Sequence, residues 1–260
     1  MHQVSPRPLP ARLPALPRLS LRRATREAII IAVSVAAYFL VRGLTEGAFD
    51  TAIANAERLV HLEQTLGIYR EPWVQRQLVD YQRVIDLMNW VYIWGHWPVI
   101  FVAACWLFVR RPRTYYIIRN AFLISGGVGL IVFATFPVAP PRLATPEFID
   151  TITLHSNAYR VLQPPAFVNQ YAAMPSLHFG WDLLIGGAIA REVKAWPIRI
   201  WGLILPVLML GAVVITANHF IIDAVAGGIL VAVALWAAVH ISIRARGTAL
   251  RAWLAGGFHG

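Results

Sequence analysis

Residues 197–243 read PIRIWGLILPVLMLGAVVITANHFIIDAVAGGILVAVALWAAVHISI, two apolar stretches with little between them. A helix of about 20 residues crosses the roughly 30 Å hydrocarbon core of a bilayer, and each stretch has that length. The pattern therefore predicts two consecutive membrane spans, Pro197–Ala217 and His219–Ile243.

Four further apolar stretches of similar length precede this pair. They are Glu27–Leu44, Val84–Val109, Tyr115–Phe136 and Ser176–Val193. Composition agrees, because 58% of the 260 residues are hydrophobic and only 14% are charged, whereas soluble domains carry about 25% charged residues. A buried helix of a soluble protein can resemble one such stretch, but six in one chain favour the bilayer. The sequence predicts an all-α integral membrane bundle of six transmembrane helices.

Arginines and lysines predict how this bundle is oriented, because short cytoplasmic segments are enriched in them. Residues 1–26 are predicted to be a basic cytoplasmic tail, 27–243 a six-span membrane domain and 244–260 a second cytoplasmic tail. The remaining basic segments then fall on the same side as the tails. They contain Arg110, Arg111, Arg113, Arg191, Lys194 and Arg199. We attribute the net charge of +10 to orientation in the plasma membrane rather than to nucleic-acid binding. A mitochondrial transit peptide is the weaker alternative, because the prolines in residues 1–26 argue against the amphipathic helix that it needs.

The opposite, outer side receives two long segments, Thr45–Arg83 and Pro137–Pro175, which hold most of the acidic residues. Apolar residues recur at helical spacing in the first segment and predict an outer amphipathic helix. They are Phe49, Ile53, Ala56, Leu59, Val60 and Leu66. A second short helix is predicted near Pro72, with Trp73 and Tyr81 at headgroup level. Packing over other helices and direct contact with lipid are both compatible with this pattern.

Ionisable groups are costly inside a membrane and mark candidate sites. Asp223 follows His219 by four residues, which on a helix places the carboxylate on the same side as the imidazole. Such a carboxylate keeps one ring nitrogen protonated and leaves the other as a nucleophile. A purely structural pair would have the same spacing.

A second histidine, His178, follows Ser176 in the first turn of the predicted fourth span. Unpaired amides at a helix start stabilise anions, and a serine hydroxyl adds a donor. The segment suits an anion site beside an acid-base histidine, although serine is also an ordinary helix cap. Arg142 follows two prolines where the third span ends, and its guanidinium suits either phosphate oxygens or an interfacial anchor.

Together, in this order, the three segments resemble the type-2 phosphatidic acid phosphatase superfamily. The matching residues are Arg142, Pro175, Ser176, His178, His219 and Asp223. The resemblance implies that His219 is the nucleophile, that Asp223 supports it, and that His178 protonates the leaving oxygen. It also implies a phosphohistidine intermediate, with no cofactor and no metal.

Departures from the family pattern refine this interpretation. Leu177 replaces a glycine, and Leu143 replaces a proline. Thr135 and Val213 stand where the family has a lysine and an arginine, while Ala212 stands where it has a serine. The Met-Pro-Ser-Leu-His segment and the missing arginine are more similar to the inositol phosphorylceramide synthase branch, which transfers phosphorylated headgroups between lipids.

We therefore expect a lipid phosphatase or phosphotransferase, with a membrane phospholipid as substrate, a lipid alcohol as possible acceptor and no nucleic-acid partner. The predicted substrate contacts are Arg142, Ser176, Leu177, Asp182, His96 and Tyr171, with Arg160 as a weaker candidate. The alternatives are hydrolysis of monoesters such as phosphatidic acid or polyprenyl phosphates, a zinc hydrolase, and a membrane transporter.

Overall fold

The computed structural model describes residues 20–45, 47–151 and 169–256, and α-helices dominate these ranges. In chain order they are α1 (Leu21–Thr45), α2 (Phe49–Thr65), α3 (Glu71–Leu78), α4 (Gln82–Trp94), α5 (Trp97–Arg110), α6 (Pro112–Thr135), α7 (Pro141–Ala144), α8 (Leu177–Glu192), α9 (Trp196–Ile215) and α10 (Ile221–Gly256). The predicted all-α class is confirmed.

Within the described residues, four helices are long and apolar enough to cross a membrane, namely α1, α6, α9 and the first part of α10, Ile221–Arg244. The predicted second span is broken, because the chain bends by 41° between α4 and α5. Taken together, these two helices make a fifth candidate membrane span. The predicted fourth span corresponds to α8, whose 16 residues fall short of the usual length. The membrane-protein character is confirmed, whereas the count of six remains a prediction.

Helix α2 lies where the outer amphipathic helix was predicted, and it covers one end of the bundle. Its buried face packs against Val138, Ala173 and Phe220, through small and apolar side chains. The shorter α3 begins at Glu71 with Pro72 in its first turn, where proline needs no hydrogen-bond partner. The α2–α3 pair is thus a cover packed over the loops between the spans.

Glycines allow α8 to approach its neighbours at backbone distance. A Cβ on Gly227 of α10 would overlap the carbonyl oxygen of Ser176, and a Cβ on Gly180 would lie 2.8 Å from the carbonyl oxygen of Gly227. On the other side, Gly186 of α8 crosses Gly202 of α9 in the same way. Small residues at helix crossings are typical of membrane bundles. They bring the starts of α8 and α10 together.

Backbone hydrogen bonds tie the loop that leaves α6 to the segment that enters α8. The amide of Val138 donates to the carbonyl of Tyr171 over 2.8 Å, and the amide of Ala173 donates back to Val138 over 3.2 Å. On the α2 side, the Asn55 amide group donates to the Pro137 carbonyl over 2.8 Å. These contacts place α7 beside the start of α8, although residues 152–168, which lie outside the described ranges, separate them in the sequence.

Candidate active site

The two predicted catalytic histidines lie next to each other. Their ring centroids are 5.7 Å apart, with an interplanar angle of 54°. His178 comes from the first turn of α8, and His219 from the turn before α10. The amide of Ser176 donates to the carbonyl of Asp223 over 2.9 Å, which joins the two helix starts directly. One phosphoryl group can therefore be reached from both rings.

The orientation of the His219 ring follows from one short hydrogen bond. Nδ1 lies 2.7 Å from the carbonyl oxygen of Ala173. Because a carbonyl can only accept, Nδ1 carries the proton, and Nε2 keeps its lone pair. The ring is only 4% exposed, so it stays in this orientation. Sequence reasoning missed Ala173, because a backbone acceptor leaves no mark on residue type.

Asp223 supports this arrangement in a different way from the one expected. Its Oδ2 lies 3.7 Å from Nδ1 of His219, which is an ion-pair distance and too long for a hydrogen bond. The same oxygen accepts the backbone amide of Phe220 over 2.9 Å. The carbonyl of Ala173 therefore fixes the tautomer, and the carboxylate supplies negative charge next to the ring.

The His178 ring lies between two other rings. Tyr92 of α4 stacks on it with centroids 4.6 Å apart, and His96 lies 4.5 Å away. Tyr92 was not among the predicted site residues. Its only sequence signal was its place in an aromatic segment around a histidine. The stack limits rotation of His178 and leaves its remaining edge toward His219.

His96 and Asp182, both predicted to contact substrate, form a buried pair. Nδ1 of His96 lies 2.8 Å from Oδ1 of Asp182, and the two residues are 1% and 0% exposed. His96 occupies the break between α4 and α5, so the bent span places an imidazole at the site. Because the His96 ring lies 4.5 Å from that of His178, this pair adjoins the second predicted catalytic histidine.

The start of α8 combines a cap with unoccupied donors. Oγ of Ser176 accepts the amide of Phe179 over 3.4 Å, as an N-cap does. Among the described residues, no acceptor reaches the amides of Leu177 and His178, the first two of the helix. The Leu177 side chain packs on α6 at Gly129. Leu177, which stands where the family has a glycine, thus fills space that is open because Gly129 has no side chain.

Arg142 lies at the same end of the bundle, in α7. Its amide donates to the carbonyl of Ala217 over 3.0 Å. Its guanidinium donates to Asn218 through Nε and to Asp150 through Nη1, each over 3.1 Å. The arginine thus holds the turn that precedes His219, with Asp150 balancing part of its charge. Neither Asn218 nor Asp150 was predicted, and for Asn218 the reason is that its partner lies 76 residues away in the sequence.

Of the remaining candidates, Tyr171 packs edge-on against Phe49 of α2 with centroids 6.2 Å apart, at the edge of the covered end. Arg160 lies outside the described residues.

The structure also describes Thr135 and Val213, the two positions where the family has a lysine and an arginine. The Thr135 hydroxyl donates to its own helix at Ile131 over 2.8 Å, and Val213 is fully buried in an apolar cluster.

Two buried carboxylates from the cover were not predicted. Glu63 of α2 accepts the amide of Ile222 and Glu71 of α3 accepts the amide of Ile221, each over 2.7 Å. Both glutamates are 0% exposed. A signal existed for the first, because Glu63 follows Leu59 by four residues and so continues the buried face of α2.

Comparison with known proteins agrees with this arrangement. A family model described as the PAP2 superfamily matches residues 57–237, more than half of the chain. That region contains all the site residues described above. Comparison with curated proteins and with solved structures gives no match. The chain therefore belongs to the PAP2 superfamily, the type-2 phosphatidic acid phosphatases, and is a membrane protein of phosphatase type.

Proposed function

We propose that the protein is an integral membrane phosphotransferase that moves a phosphorylated headgroup from one lipid to the hydroxyl of another through phosphohistidine at His219. The observation that carries this proposal is the 2.7 Å contact between Nδ1 and the Ala173 carbonyl, since it leaves Nε2 as the free lone pair. A nucleophile held in this way needs no prior deprotonation.

In the first half-reaction, Nε2 of His219 attacks phosphorus, and the bond to the diacylglycerol oxygen breaks. His178 donates a proton to that oxygen, so the leaving group departs as an alcohol. The imidazole becomes cationic when the N–P bond forms. The proton stays on Nδ1, hydrogen-bonded to the Ala173 carbonyl, and the Asp223 carboxylate stabilises the new charge.

In the second half-reaction, the acceptor hydroxyl attacks phosphorus from the leaving-group side. His178, now neutral, takes the hydroxyl proton, and the N–P bond breaks to return Nε2 to its original state. The open amides of Leu177 and His178, and the guanidinium donors of Arg142 that Asn218 and Asp150 leave over, would bind the phosphoryl oxygens. No atom or proton is left over, and the enzyme needs only the two lipids.

A phosphodiester fits the charges around this site better than a monoester. A monoester carries about two negative charges near neutral pH, whereas a diester carries one. Thr135 and Val213 supply no cation, and Asp150 shares the charge of Arg142. This balance, together with the Met174 to His178 segment, supports assignment to the inositol phosphorylceramide synthase-like branch.

The proposed site faces the non-cytoplasmic side of the plasma membrane. This follows from the arginine distribution, because α6 ends and α8 begins at the site, while the segments rich in arginine lie at the opposite helix ends. This topology is tested with Glu147→Cys in a Cys105→Ser background. Glu147 is exposed, whereas Thr151 of the same loop is buried and would not react. An impermeant thiol reagent should label intact cells, whereas Lys194→Cys should react only after lysis. The reverse pattern would contradict the topology.

The function itself is tested by incubating purified protein with phosphatidylinositol, with and without ceramide as the lipid alcohol, and with phosphatidic acid. Mass spectrometry of the products should show headgroup transfer that depends on ceramide and is lost in His219→Ala. Faster release of free phosphate from phosphatidic acid would instead establish a monoester hydrolase. Uptake into vesicles without phosphate chemistry would favour a transporter.

A further inference from the structure

Two buried glutamates connect the cover to the start of α10. Glu63 and Glu71 lie on different helices, yet their Oε1 atoms accept the neighbouring amides of Ile222 and Ile221, each over 2.7 Å. The separations along the chain are 159 and 150 residues. Both contacts fall within three residues of His219.

These contacts satisfy a helix start that would otherwise have buried donors. The first amides of a helix have no partner within it, and a buried unpaired donor costs about 1–3 kcal/mol. Asp223 accepts the amide of Phe220, so three consecutive amides end on three carboxylates. Negative charge at this end of a helix is also favoured by its dipole.

The two glutamates also act on each other's charge. Burial, and then the neighbouring Glu71 side chain, raises the pKa of Glu63 to about 9; the charges of Glu71 and Asp223 act in the same direction. The Oε2 atoms of both glutamates are buried and have no hydrogen-bond partner among the described residues. Tyr69 also lies near Glu71, and burial raises the pKa of Tyr69 to about 12. Near neutral pH Glu63 therefore carries a proton.

We propose that Glu63 and Glu71 form a carboxylate clamp, a pair of positioning residues that holds the first turn of α10 and thereby orients His219 for attack on phosphorus. This inference rests on the function proposed above. The clamp acts through the backbone of Ile221 and Ile222 and never touches the substrate. The cover thus helps to position His219, because α2 and α3 supply the hydrogen-bond acceptors that α10 lacks.

The first test separates positioning from mere packing by substitution at position 63. Glu63→Ala removes one acceptor, and we expect kcat to fall by about 100-fold with KM little changed, the usual scale for a misplaced catalytic group. Glu63→Gln mimics the protonated acid, since its carbonyl can accept from Ile222 and its amide can donate to Glu71. It should retain wild-type kcat near neutral pH. Glu57→Gln, exposed on the same helix, is the matched control.

The second test uses pH. As pH rises through about 9, wild-type Glu63 ionises beside Glu71 and Asp223, so the clamp loosens and kcat should fall. The Glu63→Gln variant has no such proton to lose, and this alkaline loss should be absent. A role in packing alone would leave the two pH profiles the same.

A third measurement needs no substrate. The folded-state pKa of Glu63 is raised, so the unfolded chain holds fewer protons above its ordinary pKa of about 4.5, and stability falls as pH rises toward about 9. The melting temperature of Glu63→Gln should therefore rise relative to wild type across this window, and that of Glu57→Gln should not.

The outcomes separate the two proposals. If wild type turns over none of the lipids, the proposed function fails, while the melting temperatures still show whether Glu63 holds a proton in the folded protein. Wild-type kcat in a folded Glu63→Ala variant would overturn the clamp. If that variant does not fold, an unchanged alkaline limb in Glu63→Gln would overturn it instead.

Discussion

Two helix starts meet at the candidate active site, and their backbone amides have different partners. At the start of α8, Ser176 caps one amide, and the next two, of Leu177 and His178, meet no acceptor among the described residues. At the start of α10, three consecutive amides end on Asp223, Glu71 and Glu63. Both starts have the same dipole, so the difference lies in what the side chains supply.

This difference assigns distinct tasks to the two helices. Open amides at α8 can bind the oxygens of an anionic phosphoryl group. The carboxylates at α10 repel such a group, so we infer that the helix start beside His219 holds this proposed nucleophile rather than the substrate. The hydrogen bond from the amide of Ser176 to the carbonyl of Asp223 holds the two helix starts in place relative to each other.

The largest expected effect is on the α10 side. His219→Ala removes the nucleophile, and we expect turnover to fall by roughly 10⁴-fold or more, as when a covalent catalyst is deleted. Wild-type protein incubated with a phospholipid labelled in its headgroup should carry acid-labile label, and the variant should not. His61→Ala, an exposed histidine of α2, is the control. Wild-type turnover in a folded His219 variant would refute the mechanism.

On the α8 side, His178→Ala should slow transfer by about 10²- to 10⁴-fold, the usual contribution of a general acid. Its role makes the loss depend on the leaving group. With a p-nitrophenyl phosphodiester the leaving group is p-nitrophenolate, which departs without protonation, so the variant should recover most of the first half-reaction with that substrate. Equal losses on both substrates would assign His178 to binding instead.

The close approach of α8 and α10 can be disrupted by adding a single methyl group at Gly227. Gly227→Ala would drive a Cβ into the carbonyl of Ser176 and separate the two histidines. We expect a loss of about 100-fold in turnover, the scale of a displacement of about 1 Å. Gly187→Ala lies on α8 with open space around it, and it should retain activity. A Gly227 variant with wild-type turnover would mean that the close approach is not required.

What could be predicted from sequence was local. Apolar runs predicted the helices, and the serine before His178 predicted a capped helix start, because both signals lie within a few neighbouring residues. The contacts that orient His219 are not local. Ala173 acts through a backbone carbonyl, and Glu71 lies 150 residues from the amide it accepts. Residue type alone carries neither signal.

The smallest expected effect concerns Asp223, and the structure sharpens it. If a carboxylate alone set the tautomer of His219, an amide in its place would misorient the ring. Here the Ala173 carbonyl sets the tautomer, so Asp223→Asn should keep the ring in place. The asparagine carbonyl can still accept the amide of Phe220.

What Asp223→Asn removes is the charge 3.7 Å from Nδ1, which stabilises the imidazolium that forms on attack. A charge pair at about this distance contributes up to ~4 kcal/mol near a protein surface. The loss should be smaller here, because the Ala173 carbonyl still faces Nδ1 and because the imidazole carries only part of its positive charge in the transition state. We therefore expect turnover to fall by roughly 10- to 100-fold, since 1.36 kcal/mol corresponds to a factor of ten. Asp223→Ala removes the acceptor for Phe220 as well and should lose more. Single-turnover rates of both folded variants measure the difference, and equal losses would mean that Asp223 acts through its charge alone.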